Sequence, residues 1–161
     1  MIMFTTRKRI TLAAALLIST VFGLSSCYEN SLSTNYISVP PVLQPIALTA
    51  SLNGASEKPT STTSAATGTF VGSIDQTSRV LSYTVTYSGI TPIAGHLHRV
   101  TAADGTGPVT IPFASLTSPI IGTTSTLRQS QVDSMKNGFF YANLHTSAYP
   151  AGEIRGDIKV K

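Results

Sequence analysis

The residues with the most chemistry in this chain are its three histidines. All fall in two short segments, Gly95-His96-Leu97-His98-Arg99 and Tyr141-Ala142-Asn143-Leu144-His145-Thr146. The second is followed at once by Tyr149-Pro150-Ala151-Gly152-Glu153-Ile154-Arg155-Gly156-Asp157. Successive side chains of an extended strand point to opposite faces, so His96 and His98 share a face, as do Tyr141, Asn143 and His145, and Glu153, Arg155 and Asp157. Three such strands side by side would gather ring nitrogens, an amide, carboxylates and a guanidinium into one polar cluster.

Two chemistries are open to that cluster. In the first it is a satisfied network: Arg155 forks onto Glu153 or a neighbour and the histidines donate to backbone carbonyls, fixing strand register. Gly152 and Gly156 then let backbone approach closely or bulge beside it. In the second, His96, His98 and His145 form a three-nitrogen set for zinc or copper, with no cysteine or clear acidic ligand beside the pair. Without that metal no cofactor is expected. Hydrolysis is a weaker fit, although His145 with Glu153 or Asp157 could activate a serine or a water. No serine sits in a recognisable nucleophile turn, so the chain is not expected to be an enzyme. Tyr83, Tyr87, Phe139 and Tyr141 read as cross-strand packing rather than a ligand-stacking strip.

The elements that must position these residues are short alternating runs parted by turn signals, which is the mark of an all-β chain. Strands are expected over 46–52, 68–74, 79–88, 94–100, 109–113, 120–127, 139–146 and 153–160, with Phe140, Ala142, Leu144, Ile154, Ile158 and Val160 facing the core. Asp75-Gln76-Thr77-Ser78 closes the clearest hairpin. Ser130-Gln131-Val132-Asp133 predicts one short helix capped at Ser130, with Val132 and Met135 on its buried face and Gly138 after it. The predicted fold is an antiparallel Greek-key β-sandwich or barrel of about eight strands with that one helix, because a parallel sheet would need crossover helices.

The elements HxH, YxNxHT (Tyr141 to Thr146) and PxGEIRG (Pro150 to Gly156), together with the Gly-Pro loop ending at Pro108, resemble the CHRD domain over about Ile46 to Lys161. This module was first named in chordin and also occurs singly in bacterial secreted proteins. The resemblance implies an extracytoplasmic β domain. Chordin's modules belong to an extracellular antagonist of bone-morphogenetic-protein signalling, while the bacterial single-module members carry no activity to transfer. Glu57-Lys58-Pro59 looks like the family's Glu-x-Pro element and is expected to shape a loop. Arg99 stands where the family usually has glycine, so close backbone approach is not expected there. The strand-borne HxH also resembles that of Cu,Zn superoxide dismutase, whose two-metal site needs more histidines than this chain has.

Arg7-Lys8-Arg9 before the apolar run from Ile10 to Leu24 reads as a secretory signal, too short to span a bilayer comfortably. It ends in Leu24-Ser25-Ser26-Cys27, which resembles the lipobox of bacterial lipoproteins and implies cleavage before Cys27 with fatty acylation, such as palmitate, on that residue. The plainer alternative is an ordinary signal peptide with Cys27 a free thiol. The expected organisation is a lipoprotein signal peptide at 1–26, a proline-bearing tether at 27–45 and a CHRD-like β domain at 46–161. Tyr28, where many retained lipoproteins carry aspartate, tilts the expected location toward the outer membrane.

The basic balance of 11 Lys and Arg against 7 Asp and Glu is mostly the signal peptide's. With Arg7, Lys8 and Arg9 removed the chain is nearly neutral and has no basic cluster, so nucleic acid is not an expected partner. The functional expectation is a lipid-anchored cell-envelope module, binding or structural and non-catalytic. Its partners are the membrane, through Cys27, and an unknown envelope or extracellular ligand. The alternative is an envelope zinc- or copper-binding protein using the three histidines.

Overall fold

The structure, a computed structural model, describes residues 40–161. The expected signal peptide, Cys27 and the tether up to residue 39 lie outside the described residues. Nine strands follow in chain order: β1 (Ile46–Asn53), β2 (Thr67–Ile74), β3 (Leu81–Ser88), β4 (Ala94–Arg99), β5 (Val109–Pro112), β6 (Ile120–Thr123), β7 (Phe140–His145), β8 (Ile154–Asp157) and β9 (Lys159–Val160). Among the described residues one helix, α1 (Gln129–Lys136), precedes β7, and a 3₁₀ turn, Gly54–Ser56, follows β1.

All pairings are antiparallel, in the order β5-β4-β7-β8-β1-β2-β3-β6, with β9 also on β1. Only β1 to β3 form a simple meander. The neighbours β4–β7, β8–β1 and β3–β6 are joined by long connections, as in Greek-key folds. The single sheet curls: Phe113, just beyond β5 at one end of the order, packs its ring 5.4 Å from that of Tyr83 on β3 near the other end. A flat sheet would hold those rings several strand widths apart. Of the two forms expected, sandwich and barrel, the single curled sheet takes after the barrel, as a half-barrel.

Alternation decides what the curl encloses. Leu48, Leu52, Phe70, Ile74, Leu81, Val85, Leu97, Phe140, Leu144 and Ile154 face one core, into which α1 adds Val132 and Met135. Removing that apolar surface from water is the main term holding the sheet closed. The opposite face of β1, β2 and β3 is largely threonine and serine, with Thr69 and Thr86 hydroxyls 2.7 Å apart across the pair.

Local departures from expectation have local causes. Strand β6 stops at Thr123, although Leu127 is still buried, because the chain turns there to bond Leu127 N–H to the Arg79 carbonyl. The helix begins earlier than expected. Arg128 is its N-cap, and the Gln131 side chain accepts the Arg128 N–H at 2.9 Å, so Ser130 sits inside the first turn. Val160, expected in the core, is 49% exposed, since the break at Ile158 separates β8 from β9 and ends the alternation. Phe139 is 53% exposed because it precedes β7, directly after Gly138 at φ 75°.

Candidate functional site: a histidine cluster roofed by three loops

The outward face of β7, flanked by β4 and β8, carries the site. Register sets it in rows: His96 lies opposite Asn143, which lies opposite Arg155, and His98 lies opposite Tyr141, which lies opposite Asp157. His145 and Glu153 complete the cluster at its end. The sequence-expected residues His96, His98, Asn143, His145, Glu153 and Arg155 are therefore brought together.

Although this face points away from the core, Arg155 is only 1% exposed and Asn143 only 3%, because three loops cover them. The loop 101–108 is held by Thr101 and Ala102 N–H bonds to the Thr106 carbonyl and by Asp104 accepting from Thr106. It lies so close that a Cβ on Gly107 would fall 1.7 Å from the Arg99 carbonyl oxygen. The close approach doubted at position 99 is thus made by Gly107, with Arg99 contributing only backbone. This loop gives its Gly107 carbonyl to His98 Nδ1 at 3.0 Å and its Gly105 carbonyl to Arg155 Nη2 at 2.8 Å. The loop after β7 gives the Pro150 carbonyl to His145 Nδ1 at 3.0 Å. The segment after β1 supplies Glu57 and Ser64.

Of the two partners expected for Arg155, Glu153 or a neighbour, the structure has the neighbour, Asp157. Arg155 does not fork onto Glu153. Its Nε and Nη2 both reach Asp157 Oδ1, at 3.2 and 2.8 Å, and its guanidinium lies 3.5 Å over the Tyr141 ring. Glu153 is instead satisfied by hydroxyls, Ser64 Oγ at 2.6 Å and Thr146 Oγ1. Asn143 Nδ2 donates to both oxygens of Glu57 at 3.1 Å. Tyr141 belongs to this polar face rather than to the core: its ring stacks on His98 at 4.7 Å with planes 3° apart.

The three imidazoles converge. Ring centroids are 5.1 Å apart for His96 and His145, 5.5 Å for His96 and His98, and 6.0 Å for His98 and His145. One ligand nitrogen from each lies within 4.8 Å of the others. A carbonyl can only accept, so the bonds to Gly107 and Pro150 fix the proton of His98 and of His145 on Nδ1 and leave each Nε2 unprotonated. His98 Nε2 is buried without a partner. His145 Nε2 lies 3.2 Å from His96 Nδ1.

Burial holds all three rings below the usual histidine pKa. For His96 the neighbouring His145 and His98 deepen the effect. For His98 the Gly107 bond opposes it while His145 and Arg155 reinforce it, and for His145 the Pro150 bond opposes it. The rings are therefore neutral, with lone pairs available. Burial also pushes Glu57 up to about 7, against the opposing pull of the Arg155 charge, the Asn143 amide and the Lys58 N–H.

Residues 48–158 match the CHRD domain. The chain belongs to the CHRD family. The matched segment runs from β1 to the residue after β8 and contains every member of the cluster. No curated protein and no solved structure matches the chain.

Within this CHRD domain, Glu57, Tyr141, Gly107 and Ser64 are site residues that reading along the chain did not assign as such. Glu57 had a signal in its Glu-x-Pro element, and it is 5% exposed and bonded into the cluster rather than merely shaping a loop. Gly107 had only its place in a Gly-Pro loop. Nothing in local sequence marks Ser64.

Proposed function

We propose that this CHRD domain is a non-catalytic binding module of the cell envelope that takes up a transition metal ion, zinc or copper, on His96, His98 and His145. The single observation carrying this reading is the convergence of three neutral imidazoles, two of them with Nδ1–H held by a backbone carbonyl. That carbonyl bond to the far ring nitrogen is the usual outer support of a metal-binding histidine. Nitrogens bound to one tetrahedral ion at about 2.05 Å stand about 3.3 Å apart. His96 Nδ1 and His145 Nε2 are already 3.2 Å apart. Uptake requires the His96 proton to move to its own Nε2 and the three ligand nitrogens, now within 4.8 Å of one another, to draw together. An all-imidazole set suits zinc and copper rather than magnesium or calcium. We also infer, from the run ending in Leu24-Ser25-Ser26-Cys27, that the module is tethered through acylated Cys27 by the proline-bearing stretch before β1.

Native mass spectrometry and calorimetry of the full chain with zinc and copper test the reading. One ion per chain is expected, lost in His96→Ala and His145→Ala. Uptake of neither metal at about 100 µM would overturn it, since three imidazoles gathered on one ion bind far more tightly, and would leave the cluster as a network that fixes strand register.

A further inference from the structure

We propose that the ion on His96, His98 and His145 keeps a fourth position, occupied by water and exchangeable for small exogenous ligands, and that Asn143 Oδ1 selects for a ligand that can donate a hydrogen bond. This rests on the metal reading above and adds what the site presents to the outside.

Among the described residues the protein offers only three donors at this point: the cluster consists of His96, His98 and His145, with no carboxylate or thiol in it. The nearby carboxylates are committed elsewhere. Glu57 is held by the Asn143 amide, Glu153 by Ser64 and Thr146, and Asp157 by Arg155. A zinc or copper ion with three protein ligands completes its coordination with a fourth from outside, the arrangement of open rather than closed metal sites. The entry side exists, because His96 and His145 are both partly exposed while His98 is buried. Three neutral rings also leave the ion's charge uncompensated, and the Arg155 guanidinium adds a further positive charge close enough to depress His98. Negative or strongly dipolar ligands are therefore drawn in.

Asn143 gives that position its selectivity. It sits directly across from His96 and two residues before His145 on the same face of β7. Its Nδ2 points to Glu57, which comes in over β8. The amide oxygen takes no part in that bond. That oxygen is buried and has no hydrogen-bond partner. An acceptor left unpaired in a buried place is costly, and it is relieved by a metal-bound water or hydroxide but not by an aprotic anion. Gly152 preserves the arrangement: a Cβ there would fall 2.6 Å from Asn143 Nδ2 and 2.8 Å from Oδ1.

The test uses the full chain loaded with copper(II) and titrated with azide, followed by the azide-to-copper charge-transfer band. The band is expected to appear, showing an exchangeable position. In Asn143→Val, where the acceptor is gone and water loses its advantage, azide is expected to bind about tenfold more tightly than in the parent chain. Asn143→Asp guards against a folding defect in the first variant: its carboxylate is expected to weaken azide binding by competing with the anion. Copper uptake without an azide band in the parent chain would overturn the fourth position. An azide affinity unchanged in both folded variants would overturn the role of Asn143. Absence of copper uptake would instead overturn the metal reading on which this rests.

Discussion

His98 lies flat against Tyr141, ring centroids 4.7 Å apart and planes within 3°, and Arg155 covers the tyrosine at 3.5 Å from its ring centre. An electron-rich ring thus touches both an imidazole and a cation, an arrangement stabilised by the quadrupole of the phenol ring. The two contacts tie β4 and β8 to the strand between them on the outward face, where no core packing does so.

Removing that ring should be expensive. Tyr141→Ala is expected to destabilise the domain by about 3–5 kcal/mol, the range for emptying a buried aromatic site. Tyr141→Phe should cost less than about 1 kcal/mol, because the hydroxyl's only contact, to the Gly107 carbonyl, is a long 3.4 Å. Urea unfolding of the two variants separates the cases. Equal losses would mean that the hydroxyl, not the stack, matters.

Glu57 makes stability depend on pH in a definite direction. Its folded pKa of about 7 lies above the ordinary 4.5, so the folded chain holds the proton more tightly than the unfolded one. The stability this brings is fully present below about pH 4.5 and is lost as pH rises through about 7. Wild-type protein should therefore lose stability relative to Glu57→Gln between about pH 5 and about pH 8. The histidines, with lowered values, work the other way, but they are common to both proteins and cancel in the difference. Unfolding midpoints of the pair at the two pH values decide it, and a flat difference would show that Glu57 is not shifted.

Most of this site was legible because strand alternation is a local rule. Once His96 and His98, Asn143 and His145, and Arg155 and Asp157 are read as strand residues, their shared faces follow, and the sheet order supplies the rest. Partner choice was not legible. Whether Arg155 meets Glu153 or Asp157 depends on where Ser64 and Thr146 bring their hydroxyls, and Ser64 arrives from a loop far away in sequence. The curl was likewise hidden, since a sandwich and a half-barrel place the same alternating residues in a core. Tyr141 does pack across the strands, on His98 and Arg155; its burial on the outer face was hidden, because loop 101–108, which roofs it there, comes from elsewhere in the chain.

The proposed acylation of Cys27 makes a prediction independent of the fold. Cells expressing the full chain and fed labelled palmitate should yield a labelled protein that partitions with membranes. Cys27→Ser should lose the label and leave the membrane fraction, since stable attachment depends on the acyl chains. Label retained in Cys27→Ser would remove the lipobox reading while leaving the metal site untouched.

The sharpest link between loop geometry and metal binding runs through Gly107. Its carbonyl fixes the His98 proton on Nδ1, and its α-carbon lies so near β4 that an added methyl would stand 1.7 Å from the Arg99 oxygen. Backbone cannot yield there as a side chain could, so Gly107→Ala must lift the loop off the strand. The Nδ1–H of His98 then loses its acceptor and the ring its fixed orientation, while His96 and His145 keep their own contacts. Zinc or copper affinity is expected to fall by about 10–100-fold, the usual effect of removing a ligand's outer hydrogen bond. Calorimetry measures it, and a far-ultraviolet circular dichroism spectrum matching the parent's confirms that the sheet remains. An unchanged affinity in a folded Gly107→Ala protein would mean that His98 does not bind the ion in the orientation seen here.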